Sequence, residues 1–170
     1  MGPLVRRSWQ PRGQPPVLIQ RGRRLEKVSA IAALGVPPRR EVARLYFRRH
    51  PQAEIGAAQV IGFLRHLNQE RKGPCVLGWD RLHVPRAQRT AQGVASVQHL
   101  HTFFLPAYAP ALNPVEYAWG YLKMNPLAHR PTFETAEWAA LTHRHARALQ
   151  RSEPLLRSSL RHRPLLLRRR

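Results

Sequence analysis

Apolar positions in the first half of the chain form strand-like runs separated by one helical stripe. Residues 27–36 are almost entirely apolar, which favours a buried strand, and residues 41–48 partly alternate, which favours a second strand paired with it as a hairpin. Between residues 56 and 70 the large apolar side chains recur at helical spacing, and Gly73-Pro74 ends that pattern. The short apolar run at 75–79 predicts another buried strand.

The second half of the chain reads mostly as helix. Residues 86–97 have a helical pattern, and residues 99–105 are a further strand candidate. Two more helices are predicted, over residues 113–124 and 132–150. The order strand, strand, helix, strand, helix, strand, helix, helix indicates an α/β layer fold with a mixed sheet.

The chain is expected to contain one domain and a tail. Residues 1–150 are assigned to the domain, and its first 24 residues are rich in Pro, Arg and Gly, which predicts an irregular arm. After Pro154 the chain is rich in Arg and Leu, so a basic, poorly ordered tail is expected over 151–170.

The charge balance indicates a polyanionic partner. The chain has 29 Lys and Arg residues against 9 Asp and Glu, for a formal net charge of +20. Such a chain attracts polyanions, of which DNA and RNA are the commonest, although a GC-rich genome that favours Arg codons is an alternative explanation.

Cysteine usage and hydropathy exclude several classes. A single cysteine, Cys75, rules out an internal disulfide and a cysteine zinc site. No apolar stretch approaches the ~20 residues of a transmembrane helix, and the N-terminus lacks a signal peptide, so no membrane partner and a bacterial cytoplasmic location are expected.

Two carboxylates are the best metal-ligand candidates. Asp80 is the only aspartate, and it directly follows the apolar run 75–79. Glu116 opens the helix predicted from residue 113. An Asp at the end of a strand and a Glu in the first turn of a helix can face one crevice, where oxygen ligands hold a divalent ion.

Each carboxylate also has a structural interpretation. Asp80 suits a turn or the cap of the next helix. With Asn113 as N-cap and Pro114 at the first helical position, Glu116 falls third, which is close to a capping box. The stripe Val115, Ala118, Trp119 and Leu122 is assigned to the core, whereas Gly120 and Lys123 lie off that stripe. Lys123 can contact phosphate or remain solvated.

The block from Leu105 to Lys123 resembles the third-carboxylate motif of bacterial insertion-sequence transposases of the mariner superfamily. Their pattern reads approximately Leu-Pro-x-Tyr-x-Pro-x-Leu-Asn-Pro-x-Glu, and here it is matched from Leu105 to Glu116. The apolar strand that ends at Asp80 resembles their second motif. The segment around Trp9 resembles the stretch that follows their first catalytic aspartate.

This resemblance implies a ribonuclease H-like DDE endonuclease domain that acts in DNA transposition. Asp80 and Glu116 would be the catalytic second and third carboxylates and would hold Mg²⁺ or Mn²⁺. Water and then a 3′-hydroxyl would attack DNA phosphodiesters. The candidate DNA contacts are Arg81, Arg86, Arg89 and Lys123. Arg81 stands where the family often has Asn.

One part of the family pattern is not matched. The acidic residues before Asp80 are Glu26, Glu41, Glu54 and Glu70, and none of them ends an apolar run in the required place. We therefore expect a sheet that lacks its central first strand, between 27–36 and 75–79, and a chain that is inactive alone. An upstream transposase polypeptide or a homo-oligomer is the expected partner. The alternative is a non-catalytic basic DNA-binding protein or a decayed remnant.

Overall fold

The structure is a computed structural model. It describes residue 9 and the ranges 11–13, 28–38, 42–51, 53–71, 73–79, 88–128 and 135–161. In chain order the elements are β1 (Ser29–Gly35), β2 (Arg44–His50), α1 (Ala57–Glu70), β3 (Cys75–Trp79), α2 (Gln88–Ala95), β4 (Leu100–Phe104), a 3₁₀ turn (Pro110–Leu112), α3 (Val115–Met124), α4 (Thr135–Arg151) and α5 (Glu153–Arg161).

β1 and β2 form the predicted hairpin. They pair antiparallel in a register that runs from Ser29 opposite His50 to Gly35 opposite Arg44. β2 extends two residues beyond the predicted end at position 48, because Arg49 and His50 pair with the first residues of β1 even though both side chains are polar.

β3 and β4 form a parallel pair, with Cys75 opposite Leu100 and Trp79 opposite Phe104. Parallel neighbours need a crossover between them, and α2 lies in that connection. The Cys75 thiol is 7% exposed, and its Sγ accepts a hydrogen bond from Nη1 of Arg71 at 2.8 Å.

The predicted mixed sheet is divided into two parts. Within the described ranges, β1 pairs with β2 and β3 pairs with β4, but β1 and β3 are not hydrogen-bonded to each other. β1 contacts apolar clusters on both of its faces, yet all seven of its residues are only half-buried. A strand with apolar contacts on both faces is typical of a sheet interior.

One helix supports both sheets. The buried side chains of α1 are Val60, Phe63, Leu64 and Leu67. On β1 they pack with Ile31 and Ala33, and in the same cluster lie Leu77 and Trp79 of β3. The apolar stripe predicted between residues 56 and 70 therefore packs against both strand pairs.

A second core lies on the other face of the hairpin, under α3, α4 and α5. Its largest fully buried side chains are Trp138, Leu45, Leu122, Leu127, Leu149 and Leu156. α4 packs against β2, and Nε2 of Gln150 donates a hydrogen bond of 2.6 Å to the backbone oxygen of Leu45.

The expected tail was wrong for residues 151–161. α4 continues to Arg151, and α5 follows after one residue with Leu156 only 1% exposed. Leu155 and Leu160 also pack against the second core, so the leucines of this Arg-rich segment form one apolar helix face. Residues 162–170 lie outside the described ranges. No helix in the described part of the chain is long and apolar enough to cross a membrane.

Candidate active site at the start of α3

The parallel pair β3–β4 defines the sheet edge at which the candidate site is expected. Both strands end at the same edge, and the Leu105 N–H donates to the Trp79 oxygen at 2.7 Å, which extends the pairing to the last residue of β3. Ligands of open α/β sheets bind beyond the carboxyl ends of such strands. Asp80, which follows Trp79 in the sequence, lies outside the described residues.

A series of turns connects this edge to α3. Leu105 is 8% exposed and anchors the start of the loop in the protein. The 3₁₀ turn is closed by a 2.9 Å bond from the Leu112 N–H to the Ala109 oxygen and a 3.0 Å bond from the Asn113 N–H to the Pro110 oxygen. The prolines and the asparagine of the matched motif therefore set the path of the chain toward Glu116.

The structure excludes the capping-box interpretation of Glu116. The Asn113 N–H, which a capping Glu116 would have to accept, is already donated to the Pro110 oxygen. α3 begins at Val115 rather than at Pro114, and the Asn113 side chain accepts a bond from the Val115 N–H at 3.2 Å. The Glu116 side chain is exposed and makes no hydrogen bond or ion pair with another described residue. Within the described part of the chain, its carboxylate is therefore not engaged by another side chain.

The two faces of α3 have separate roles. Ala118 and Leu122 are 1% and 0% exposed, and Trp119 packs against the same core, as predicted, whereas Val115 is only half-buried. Off that stripe, Glu116, Gly120 and Lys123 follow one another at i, i+4 and i+7, within an arc of about 60° at 100° per residue. We call these three residues the Glu116 face.

The Glu116 face is open to an approaching ligand. A Cβ placed on Gly120 would meet nothing within 4 Å. Lys123 is half-buried in the last turn and lies about 10 Å from Glu116 along the axis at 1.5 Å per residue. A carboxylate, an unobstructed stretch of backbone and an ammonium group therefore follow one another along one helix face.

The remaining predicted site residues are not tested by the structure. Arg81 and Arg86 lie outside the described residues together with Asp80. Arg89 lies in α2, and the burial of its side chain is not described. Among the described residues no group of three or more His, Cys, Asp or Glu side chains could hold a metal ion. The pairing of Asp80 with Glu116 stays a prediction.

Tyr108 is a candidate that the sequence presented only as a motif position. It lies in the loop before the 3₁₀ turn, with φ at 57° and a fully exposed side chain. A non-glycine residue in this left-handed region costs about 1–3 kcal/mol and is found preferentially at functional sites. The sequence marked Tyr108 only as a position of the matched motif. Its exposure and its backbone angle are seen only in the structure.

The chain combines an α/β fold with an exposed carboxylate, Glu116, in the first turn of α3. A family model described as "DDE superfamily endonuclease" matches residues 2–137, and the chain belongs to that family. This match confirms the family to which the motif resemblance pointed. No curated protein matches the chain.

The fold is also similar to a solved structure, "Crystal structure of the Mos1 Strand Transfer Complex". The TM-score is 0.63 at 16% sequence identity, and the match covers 94% of this chain and 46% of the Mos1 chain. The chain thus spans less than half the length of that relative. The likeness confirms the predicted ribonuclease H-like α/β fold.

Proposed function

We propose that this chain is part of the catalytic domain of a DNA transposase, with Asp80 and Glu116 as its second and third metal-binding carboxylates. The observation that supports this best is the exposed Glu116 carboxylate, which takes no part in capping the helix that follows the family motif. DNA is the substrate that fits a chain with a net charge of +20. The proposed site of action is the bacterial cytoplasm, where the DNA of the cell lies.

The donor atoms fit a divalent ion. Carboxylate oxygens are the ligands that Mg²⁺ and Mn²⁺ prefer, and DDE endonucleases generally use divalent metals. When bound, such ions supply positive charge beside the phosphodiester under attack. Asp80 and Glu116 would hold them. The open stretch at Gly120 would admit the DNA backbone, and Lys123 would contact a phosphate further along the helix.

We further propose that a strand from another polypeptide completes the site. The two strand pairs share the support of α1, but β1 and β3 are not joined in the described part of the chain. A strand between them would gain hydrogen bonds from both edges and could bring a third carboxylate beside position 80. An upstream transposase polypeptide is the proposed donor, and a second copy of the chain is the other source to test.

A non-catalytic DNA-binding role is the second candidate. It is favoured by one observation, namely that Asp80 is the only aspartate among 170 residues, so this chain offers few carboxylates to a metal. In that case DNA affinity would depend on the basic side chains and would be independent of Asp80 and Glu116.

A plasmid-nicking assay tests the catalytic proposal. The chain is purified alone and together with the polypeptide encoded directly upstream, and each sample is incubated with supercoiled DNA and Mg²⁺ or Mn²⁺. We expect nicking only by the complex, since two carboxylates hold and orient an ion less well than three. Asp80→Asn or Glu116→Gln should reduce that nicking at least about a hundredfold, as loss of a key electrostatic group typically does.

The matched control is Glu137→Gln, because Glu137 is also an exposed carboxylate in the first turn of a helix, α4. It should leave nicking unchanged. A complex that nicks DNA equally well with Glu116→Gln would contradict the assigned role of Glu116. Metal-dependent nicking by the isolated chain, abolished by Asp80→Asn, would contradict the need for a donated strand. No nicking in any sample favours the non-catalytic role.

A further inference from the structure

The exposed face of α4 carries three arginines in one row. Arg144, Arg147 and Arg151 are spaced i, i+3 and i+7, which places them within an arc of about 60° at 100° per residue. They span about 10 Å along the axis at 1.5 Å per residue. All three are exposed. We call this set the arginine row.

The opposite face of α4 fixes the helix to the protein. Its buried residues are Trp138, Ala139, Thr142, Ala146 and Leu149, each at most 3% exposed. By the same helical angles these residues are centred almost opposite the arginine row. The row therefore points away from the core on a helix that is held in place along its length.

The positive charge of the row is not neutralised within its own helix segment. Residues 138–152 contain no Asp or Glu. The exposed positions between and beside the arginines are Ala140, Ala148 and His143, and the His143 ring lies against Phe47 of β2. On α5 the situation differs, because Arg157 forms an ion pair with Glu153.

Arg147 is held in position by a chain of hydrogen bonds. Its Nη1 donates to Oε1 of Gln150 at 2.9 Å, and Nε2 of the same glutamine donates to the Leu45 oxygen at 2.6 Å. Leu45 is 2% exposed in β2. An arginine whose side chain is already ordered loses less conformational freedom when it binds a phosphate.

We propose that the arginine row is a contact surface for the phosphate backbone of duplex DNA, distinct from the Glu116 face. The inference rests on the proposed function only in naming DNA as the partner. A row of about 10 Å is as long as about three axial steps of 3.4 Å between the phosphates of one strand, so each of the three arginines can contact a different phosphate. α4 packs against α3, so the row belongs to the same helical layer as Glu116 and would position the duplex rather than react with it.

The salt dependence of DNA binding tests this surface. The full chain is titrated onto a fluorescent duplex of about 20 base pairs in EDTA, between 50 and 200 mM KCl. The variant Arg144→Gln/Arg147→Gln/Arg151→Gln should weaken the salt dependence. The negative slope of log K against log salt should become shallower by about 2.7, or about 0.9 for each lost phosphate contact. Glutamine is chosen because its helix propensity is close to that of arginine.

The matched control is Arg44→Gln/Arg48→Gln/Arg65→Gln. It removes three exposed arginines from β2 and α1 and so lowers the net charge equally. Its slope should change by less than about 1. Far-UV circular dichroism and thermal melting verify that both variants are folded.

Two results would overturn the proposal. Equal changes of slope in the two triple variants would assign the effect to net charge, and an unchanged slope in the row variant would show that these arginines do not contact DNA. The assay contains no divalent metal, so its outcome does not depend on metal binding at the Glu116 face. If no sample nicks DNA but the arginine-row variant still has the shallower salt dependence, the catalytic proposal is therefore refuted and the proposed DNA contact of the arginine row is supported.

Discussion

At the scale of single residues, one hydrogen bond joins β2 to α4. The Leu45 oxygen accepts from Gln150 at 2.6 Å, so a carbonyl of a buried residue is satisfied by a side chain 105 positions away. This contact joins α4 to the hairpin more specifically than apolar packing does.

We expect Gln150→Ala to lower the free energy of unfolding by about 1–3 kcal/mol, because it leaves the Leu45 carbonyl without its partner. Urea denaturation of the two proteins measures the difference. Arg147→Ala is the control, since it removes only an exposed hydrogen bond to the same glutamine, and it should change stability by less than about 0.5 kcal/mol. Equal effects would show that the Leu45 bond contributes little.

The residues around Glu116 show what the sequence could predict locally. The Asn113-Pro114 pair placed the start of α3 within one residue, because both residue types favour helix N-termini. The alternative interpretation of Glu116, as part of a capping box, does not agree with the structure. The competing acceptor is the Pro110 oxygen, and it is brought to Asn113 by a 3₁₀ turn that the helix-start signal alone does not reveal.

At the scale of elements, two glycines distinguish close helix packing from an open face. A Cβ on Gly93 in α2 would overlap Cδ1 of Ile61 in α1 and lie 2.6 Å from Cγ1 of the same side chain. A Cβ on Gly120 in α3 would meet nothing within 4 Å. Only the first glycine is required by the way two elements meet.

Gly93→Ala should therefore destabilise the protein by about 1–2 kcal/mol, since overpacking costs about 1–3 kcal/mol and the gain in helix propensity offsets up to about 1. The matched variant Gly120→Ala should stabilise it by about 0.5–1 kcal/mol. Thermal unfolding of the two variants and the unsubstituted protein measures both changes in stability. A stabilising Gly93→Ala would show that α1 and α2 move apart at little cost.

Element boundaries followed from local patterns, whereas element contacts did not. The period of the apolar residues located α1 and β3 almost to the residue, because each has a clear one-sided or continuous apolar pattern. α5 was missed because its arginines resembled a solvated tail. Its leucines pack in the second core, and the residues that form that core are distant in sequence, so the local pattern does not predict their burial.

At the scale of the whole molecule, the arrangement of the strands depends on contacts far apart in sequence. The chain order predicted an α/β layer fold, and the match to the Mos1 structure confirms it. Whether β1 and β3 belong to one continuous sheet depends on a strand between them, which no local pattern in either strand can specify. The Glu116 side of the candidate site was predictable from a motif, but its partnership with Asp80 is a long-range property that stays a prediction.

The two strand pairs also differ in how they are covered. β1 has apolar contacts on both faces, whereas four of the five residues of β4 are exposed, including Phe103 at 51% and Phe104 at 61%. The parallel pair is therefore anchored mainly through its contacts with the α1 cluster, and less apolar surface opposes its separation from the rest of the protein.

The single thiol of the chain lies in this less protected pair, at the first residue of β3. Its alkylation under native conditions should proceed through a local opening that needs less free energy than global unfolding. The measured rate should thus depend only weakly on low concentrations of urea. A rate that instead follows global unfolding throughout would show that both pairs open together. Cys75 can report at one sulfur atom how independently the two halves of the molecule fluctuate.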